Sequence, residues 1–66
     1  MTTQKQIRAA FWSAHPNLER EARRAGRLTA PQNHHPADTR AAFVGYVDWL
    51  QRCGRISDAL ADRVTL

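Results

Sequence analysis

Apolar side chains recur at intervals of three and four residues, in stretches separated by proline or glycine, and this pattern constrains the fold more than any other feature. Such spacing is typical of helices that bury one face. No stretch shows the strict apolar–polar alternation of a strand. The sequence therefore predicts an all-α fold, a compact array of three or four helices in a single domain that covers residues 1–66.

Capping residues and helix breakers divide the chain into four predicted helices, at about residues 3–15, 18–25, 36–53 and 58–64. Thr2 or Thr3 is expected to cap the first helix and Asn17 the second. Gly26 is expected to end the second helix in the left-handed conformation. Residues 29–36 contain two prolines and no large apolar side chain, which predicts a loop.

The third predicted helix is the longest and carries a broad apolar arc, with Trp49 at one edge of it. The arc consists of Phe43, Tyr46, Val47, Leu50 and Cys53. Because an arc of this width can contact two neighbours, we expect the third helix to be the central element. Pro36 suits its first turn, and Gly54 is expected to end it. Ser57 is then the predicted N-cap of a short last helix.

Cysteine usage and hydropathy indicate the compartment. Cys53 is the one cysteine, so an internal disulfide is excluded and a reducing environment is favoured. The N-terminal stretch lacks the apolar run of a signal peptide, and no stretch approaches the length of a membrane span. We therefore expect a soluble cytoplasmic protein that does not contact membranes.

The net charge of +4 is concentrated in the first two thirds of the chain, because residues 1–40 contain seven of the ten Lys and Arg residues and only three of the six acidic ones. Any attraction to an anionic partner is expected there. Helical periodicity places three of the candidate residues together on the first helix and the arginines on the outer side of the second. The predicted partner- or nucleic-acid-binding residues are Lys5, Arg8, Trp12, Arg20, Arg23, Arg24 and Arg27.

Several of these residues can also be explained without a binding role. Glu19 can pair with Arg23, and Glu21 with Arg24, as on an ordinary solvated helix surface. Trp12 lies off the main apolar stripe, and we expect it at an interface, although burial in the core is the competing interpretation.

Trp49 also lies off the apolar stripes and is the candidate for self-association, so the chain is expected to be a monomer or a homodimer. The segment from Val47 to Leu66 has the outline of a helix-turn-helix. Its second helix, however, presents Asp58 and Asp62 with only Arg63 to oppose them, and this charge disfavours contact with phosphates.

Catalytic and metal-binding motifs are not evident. The three glycines stand alone and form no phosphate-binding loop. His15, His34, His35 and Cys53 lack the short paired spacing of structural zinc ligands, so no metal site is predicted. His35 or Asn33 is instead expected to help to begin the third helix. We expect a protein that is not an enzyme and needs no cofactor.

Four segments carry a resemblance: AFW-x-x-HP at residues 10–16, the QN loop, DTRAAFV-x-YVD-x-L at residues 38–50, and GRIS-x-x-LA-x-RVTL at residues 54–66. Together they resemble short helical proteins encoded by bacterial phages and mobile elements, most of them uncharacterised. The resemblance implies an accessory protein that docks on a larger host or phage complex, with an inhibitor of bacterial defence, of the anti-CRISPR type, as its most concrete form. The alternatives are a small basic nucleic-acid-binding transcriptional regulator and a homo-oligomeric structural protein.

Overall fold

Four α-helices and one short 3₁₀ helix, with no strand, make up the computed structural model, which describes residues 1–66. The elements are α1 (Gln4–Ala14), α2 (Pro16–Arg24), the 3₁₀ helix (Gln32–His34), α3 (Ala37–Arg52) and α4 (Asp58–Arg63). The predicted all-α fold with a longest third helix is confirmed, and the chain has a radius of gyration of 11.3 Å. None of the helices combines the length and apolar character needed to cross a membrane.

The start of α1 is a reciprocal capping box. The Thr3 hydroxyl accepts a hydrogen bond from the Gln6 amide at 3.2 Å, and the Gln6 side chain accepts one from the Thr3 amide at 3.2 Å. Of the two predicted N-caps, Thr2 and Thr3, the structure therefore shows Thr3. This arrangement satisfies amide groups that a helix N-terminus otherwise leaves without partners.

The start of α2 differs from the prediction. The helix begins at Pro16, and the side chain of its N-cap, His15, makes no capping hydrogen bond, so Asn17 lies inside the helix and does not cap it. Proline has a helical φ and no N–H to satisfy, which explains why the first turn forms without a capping side chain. Gly26 has a φ of +70° and ends the helix as predicted, with the Arg27 amide donating to the Ala22 carbonyl at 2.7 Å.

The connection between α2 and α3 is more ordered than a plain loop, because Gln32–His34 form a 3₁₀ turn that the composition did not predict. Pro36 lies at the N-cap of α3 and not within its first turn, and no side chain caps the helix. The expectation that His35 or Asn33 begins α3 is therefore wrong. The His35 side chain is buried instead.

The end of α3 is a second glycine turn. Gly54 has a φ of +71°, and the Arg55 amide donates to the Leu50 carbonyl at 2.9 Å. Cys53 is exposed at the helix C-cap, which corrects its predicted place in the apolar arc. Ser57 caps α4 as predicted, accepting a hydrogen bond from the Leu60 amide at 3.1 Å.

The core lies where α1, α3 and α4 meet, and α2 packs against α1. α3 contacts both α1 and α4, as its broad arc predicted. Phe11 and Phe43 are both fully buried, and their rings pack edge to face with 5.2 Å between the ring centroids. The ten buried apolar residues are Ile7, Phe11, Trp12, Ala22, Phe43, Val47, Leu50, Ile56, Leu60 and Val64.

Trp12 and Trp49 have opposite environments. Trp12 is only 7% exposed, with its ring 4.9 Å from that of Phe11 and 5.7 Å from that of His35. Of the two interpretations of Trp12, burial in the core is therefore the one that the structure shows, because the connection that follows α2 packs over a face of α1 that the helical stripe leaves outside the core. Trp49 is 51% exposed, and it is the tryptophan available for contacts with another molecule.

Candidate protein-binding cleft

A cleft of about 700 Å³ lies between α1, the segment that follows α2 and the last residue of the chain. We call it the α1 cleft. Most of its surface is apolar. Its lining consists of Lys5, Arg8, Ala9, Trp12, Leu28, Thr29, Ala30, Pro31 and Leu66.

α1 supplies both the basic and the apolar parts of the cleft. Lys5, Arg8, Ala9 and Trp12 are spaced at i, i+3, i+4 and i+7, so they share one helical face. Lys5 and Ala9 are exposed, Arg8 is half-buried, and Trp12 is nearly covered. The cleft thus combines a partly covered indole and aliphatic groups with two positive charges.

Arg8 is held in place from two directions. Its Nε donates a hydrogen bond to the Thr65 carbonyl, and its Nη2 donates one to Gln4 Oε1 at 2.8 Å. These bonds fix the guanidinium plane before any partner arrives and leave Nη1 without a partner in the chain. A preorganised guanidinium loses less conformational entropy on binding a carboxylate than a freely moving one does.

The side of the cleft opposite α1 consists of the loop of residues 28–31 and of Leu66, and both are hydrogen-bonded to side chains outside the cleft. The Ala30 carbonyl is 3.1 Å from His35 Nε2, and the Leu66 amide donates to Gln32 Oε1 at 3.4 Å. Since a carbonyl oxygen only accepts hydrogen bonds, His35 Nε2 carries the proton in this contact. Two lining residues of the cleft, Ala30 and Leu66, are therefore each held by a side chain that lies outside it.

Six of the seven predicted partner- or nucleic-acid-binding residues fall into two groups in the structure. Lys5, Arg8 and Trp12 come together in the α1 cleft, although Trp12 contributes a partly covered face and not a free ring. The arginines of α2, Arg20, Arg23 and Arg24, are exposed outside the cleft.

Two predicted residues occupy other sites. Arg27 lines a separate, smaller cavity, and Trp49 lies on α3, away from the α1 cleft. Of the two predicted ion pairs on α2, Glu19 and Arg23 form one at 3.1 Å, and Glu21 forms none with Arg24. The structure contains no group of three or more His, Cys, Asp or Glu side chains that could hold a metal ion.

Several cleft residues escaped sequence analysis because they approach α1 only through tertiary packing. Leu28 and Pro31 follow the glycine turn that ends α2, and Leu66 is brought across the molecule beside Arg8. The one local signal was Leu28, a large apolar residue beside a polar loop. Such a residue could have indicated packing against another element, but not which one.

Comparisons with known proteins place the chain in no family. No protein-family model and no curated protein matches the chain at a significant level, and no solved structure matches it. What the cleft binds therefore has to be inferred from its own size, lining and charge.

Proposed function

We propose that this chain is a non-enzymatic binding protein that docks on a larger bacterial protein complex through the α1 cleft. The observation that carries the proposal is the combination, in one cleft, of an apolar lining with the cationic side chains of Lys5 and Arg8. This surface complements a partner segment that presents a bulky apolar side chain next to Asp or Glu.

The two kinds of lining residue have different roles in this proposal. Burial of an apolar anchor against Leu28 and Pro31, beside the small uncovered part of Trp12, supplies affinity, at about 25 cal/mol for each Å² removed from water. Lys5 and Arg8 attract the acidic flank of the partner, which raises the association rate and fixes the orientation of the anchor. Arg and Trp are also the residue types that most often dominate protein interfaces.

Steric occlusion is the mechanism that we propose for the docked chain. A body of 32 × 19 × 18 Å is large enough to cover a binding surface of a host complex without altering its chemistry. The setting in bacterial phages and mobile elements, with an anti-defence inhibitor of the anti-CRISPR type as the concrete form, rests on the sequence resemblance and belongs to the same proposal.

The proposal is tested by affinity capture from nuclease-treated bacterial lysate with two pairs of matched variants. Ala9→Trp fills the cleft and Lys5→Glu cancels the net positive charge of its lining, whereas Ala41→Trp and Arg52→Glu make substitutions of the same kinds at exposed positions of α3. We expect one stoichiometric complex that both cleft variants lose and both α3 variants retain. Capture that survives both cleft variants would refute the cleft as the docking site.

Nucleic-acid binding is the second candidate, favoured by the exposed side chains of Arg20, Arg23, Arg24 and Arg27. The ion pair between Glu19 and Arg23 neutralises part of this surface, and buried Trp12 offers no ring for base stacking. If this candidate is correct, duplex or single-stranded DNA binds at low salt, and its affinity falls steeply as salt rises, because phosphate contacts release counterions.

Self-association is the third candidate, favoured by Trp49 and Val44, which are 51% and 60% exposed on α3. Light scattering over a concentration series tests it directly. A dimer that Trp49→Ala converts to a monomer would support this candidate, and a wild-type chain that stays monomeric at high concentration would exclude it.

A further inference from the structure

The size of the α1 cleft suits a small molecule as well as a segment of a protein. Its volume of about 700 Å³ lies within the range of roughly 300–1,000 Å³ that is typical of small-molecule sites. A stable protein interface, by contrast, engages roughly 20–30 residues on each side. A protein partner therefore places one anchoring side chain and its flank in the cleft, whereas a small molecule of matching chemistry occupies the whole of it.

The charged and the apolar residues of the cleft follow one another along α1. Lys5 and Arg8 belong to the N-terminal part of the helical face that lines the cleft, and Ala9 and Trp12 belong to its C-terminal part. An α-helix rises about 10 Å between the positions of Lys5 and Trp12. The facing loop adds further apolar side chains. This arrangement matches an elongated ligand that has one polar end and an apolar body.

The ionisable side chains of the cleft are all cationic. Lys5 and Arg8 line it, and no Asp or Glu does. Neither cation forms an ion pair within the chain, whose two ion pairs lie on α2 and α3. Arg8 Nε and Nη2 donate within the chain, whereas Nη1 keeps its N–H groups for a ligand. Because a planar carboxylate matches the fork of a guanidinium and forms charge-assisted hydrogen bonds with it, the polar end of the ligand is best a carboxylate.

We propose that the α1 cleft binds a small amphipathic carboxylate, of the class of medium-chain fatty acids, and that this ligand competes with protein docking. Its carboxylate accepts hydrogen bonds from Arg8 Nη1 and is attracted by Lys5, while its hydrocarbon chain lies along Ala9 toward the uncovered part of Trp12. The competition rests on the proposed function, because the ligand covers the surface that receives the anchor and acidic flank of a protein partner. Binding of the carboxylate itself depends on no partner.

The ligand class is tested by NMR titration of the chain, labelled with ¹³C at the alanine methyl groups, with octanoate at neutral pH and constant ionic strength. We expect saturable shifts of the Ala9 and Ala30 methyl groups, which line the cleft, and none of Ala41, which is exposed on α3. Octan-1-ol keeps the chain but lacks the charge, so its affinity should be at least about tenfold lower. Acetate, which lacks the chain, and octylammonium, which has the opposite charge, should cause no saturable shift. Equal affinity for octanoate and octan-1-ol, or shifts that do not saturate with octanoate, would overturn the proposal.

Charge variants separate a specific site from general attraction. Arg8→Lys keeps the positive charge but removes the planar fork, so it should weaken octanoate binding about tenfold. Lys5→Glu changes an exposed side chain and should also weaken it about tenfold, which keeps the test valid if Arg8→Lys fails to fold. Arg40→Glu makes the same charge reversal at an exposed position of α3 outside the cleft and should change the affinity less than about twofold. Equal weakening by Lys5→Glu and Arg40→Glu would contradict the proposed site.

Octanoate added during affinity capture separates failure of this inference from failure of the proposed function. We expect saturating octanoate to release the captured complex and acetate at the same concentration to leave it intact. Saturable binding of octanoate without any captured protein would support the ligand class and refute the docking function. A captured complex that saturating octanoate does not release would overturn the competition. Capture by a chain that does not bind octanoate would overturn this inference and leave the docking function standing.

Discussion

His35 Nε2 donates a hydrogen bond to the carbonyl of Ala30 at 3.1 Å, and this contact joins the loop wall of the α1 cleft to the residue that precedes the N-cap of α3. The imidazole also packs against Trp12, with ring centroids 5.7 Å apart. One buried side chain thus positions the cleft wall and covers the indole beneath it. The shape of the cleft therefore depends on a residue that does not line it.

Replacing His35 tests this role. His35→Ala removes the bond to Ala30 and the packing against Trp12, so we expect it to lower the free energy of unfolding by about 2–3 kcal/mol, measured by urea denaturation. His34→Ala changes an exposed neighbour and should cost less than about 0.5 kcal/mol. Similar losses for both variants would contradict the assigned role of His35.

Two glycine substitutions should change stability in opposite directions. Gly45→Ala introduces a Cβ that contacts nothing within 4 Å in the middle of α3, so it should stabilise the fold by about 0.5–1 kcal/mol. Gly54→Ala forces alanine to adopt a φ of +71° and should destabilise it by about 1 kcal/mol. Thermal unfolding followed by circular dichroism should show shifts of opposite sign, by about 4–8 °C for each kcal/mol.

The Phe11 ring packs against those of Trp12, His15, Phe43 and Tyr46, so its removal should destabilise the fold more than a chain of this size tolerates. Phe11→Ala is expected to cost about 3–5 kcal/mol, comparable to the whole net stability of a small single core. The far-UV circular dichroism spectrum should lose most of its helical signal. Val44→Ala truncates a side chain that is 60% exposed and should retain the helical spectrum.

Tryptophan fluorescence tests the opposite environments of the two indoles. Trp49→Phe leaves only buried Trp12, so its emission should shift to shorter wavelength and acrylamide should quench it weakly. The wild-type chain, which also contains exposed Trp49, should be quenched more strongly. Efficient quenching of the Trp49→Phe variant would show that the Trp12 ring is open to solvent.

Local signals in the sequence predicted the fold well. Thr3, Ser57, Gly26 and Gly54 mark helix ends through bonds to residues only a few positions away, so their roles follow from the sequence itself. The start of α2 was predicted at residue 18 because Asn17 is a common capping residue, whereas a proline in the first turn needs no capping side chain and lets the helix begin at Pro16.

The candidate site was only partly predictable. Helical spacing brought Lys5, Arg8 and Trp12 to one face of α1, and the structure confirms that they lie together. The opposite wall and the burial of Trp12 depend on where the segment after α2 crosses α1. That crossing is fixed by contacts between distant residues, such as Leu66 with Gln32, which leave no periodic pattern in the sequence.

Site-specific photo-crosslinking tests the central claim, that the α1 cleft is the docking surface, most directly. A benzophenone amino acid is placed either at Ala9 in the cleft or at Ala41 on the exposed side of α3, and each variant is irradiated in nuclease-treated bacterial lysate. We predict one defined protein adduct from position 9, suppressed by Lys5→Glu, and none from position 41. An adduct from position 41 with none from position 9 would contradict the account.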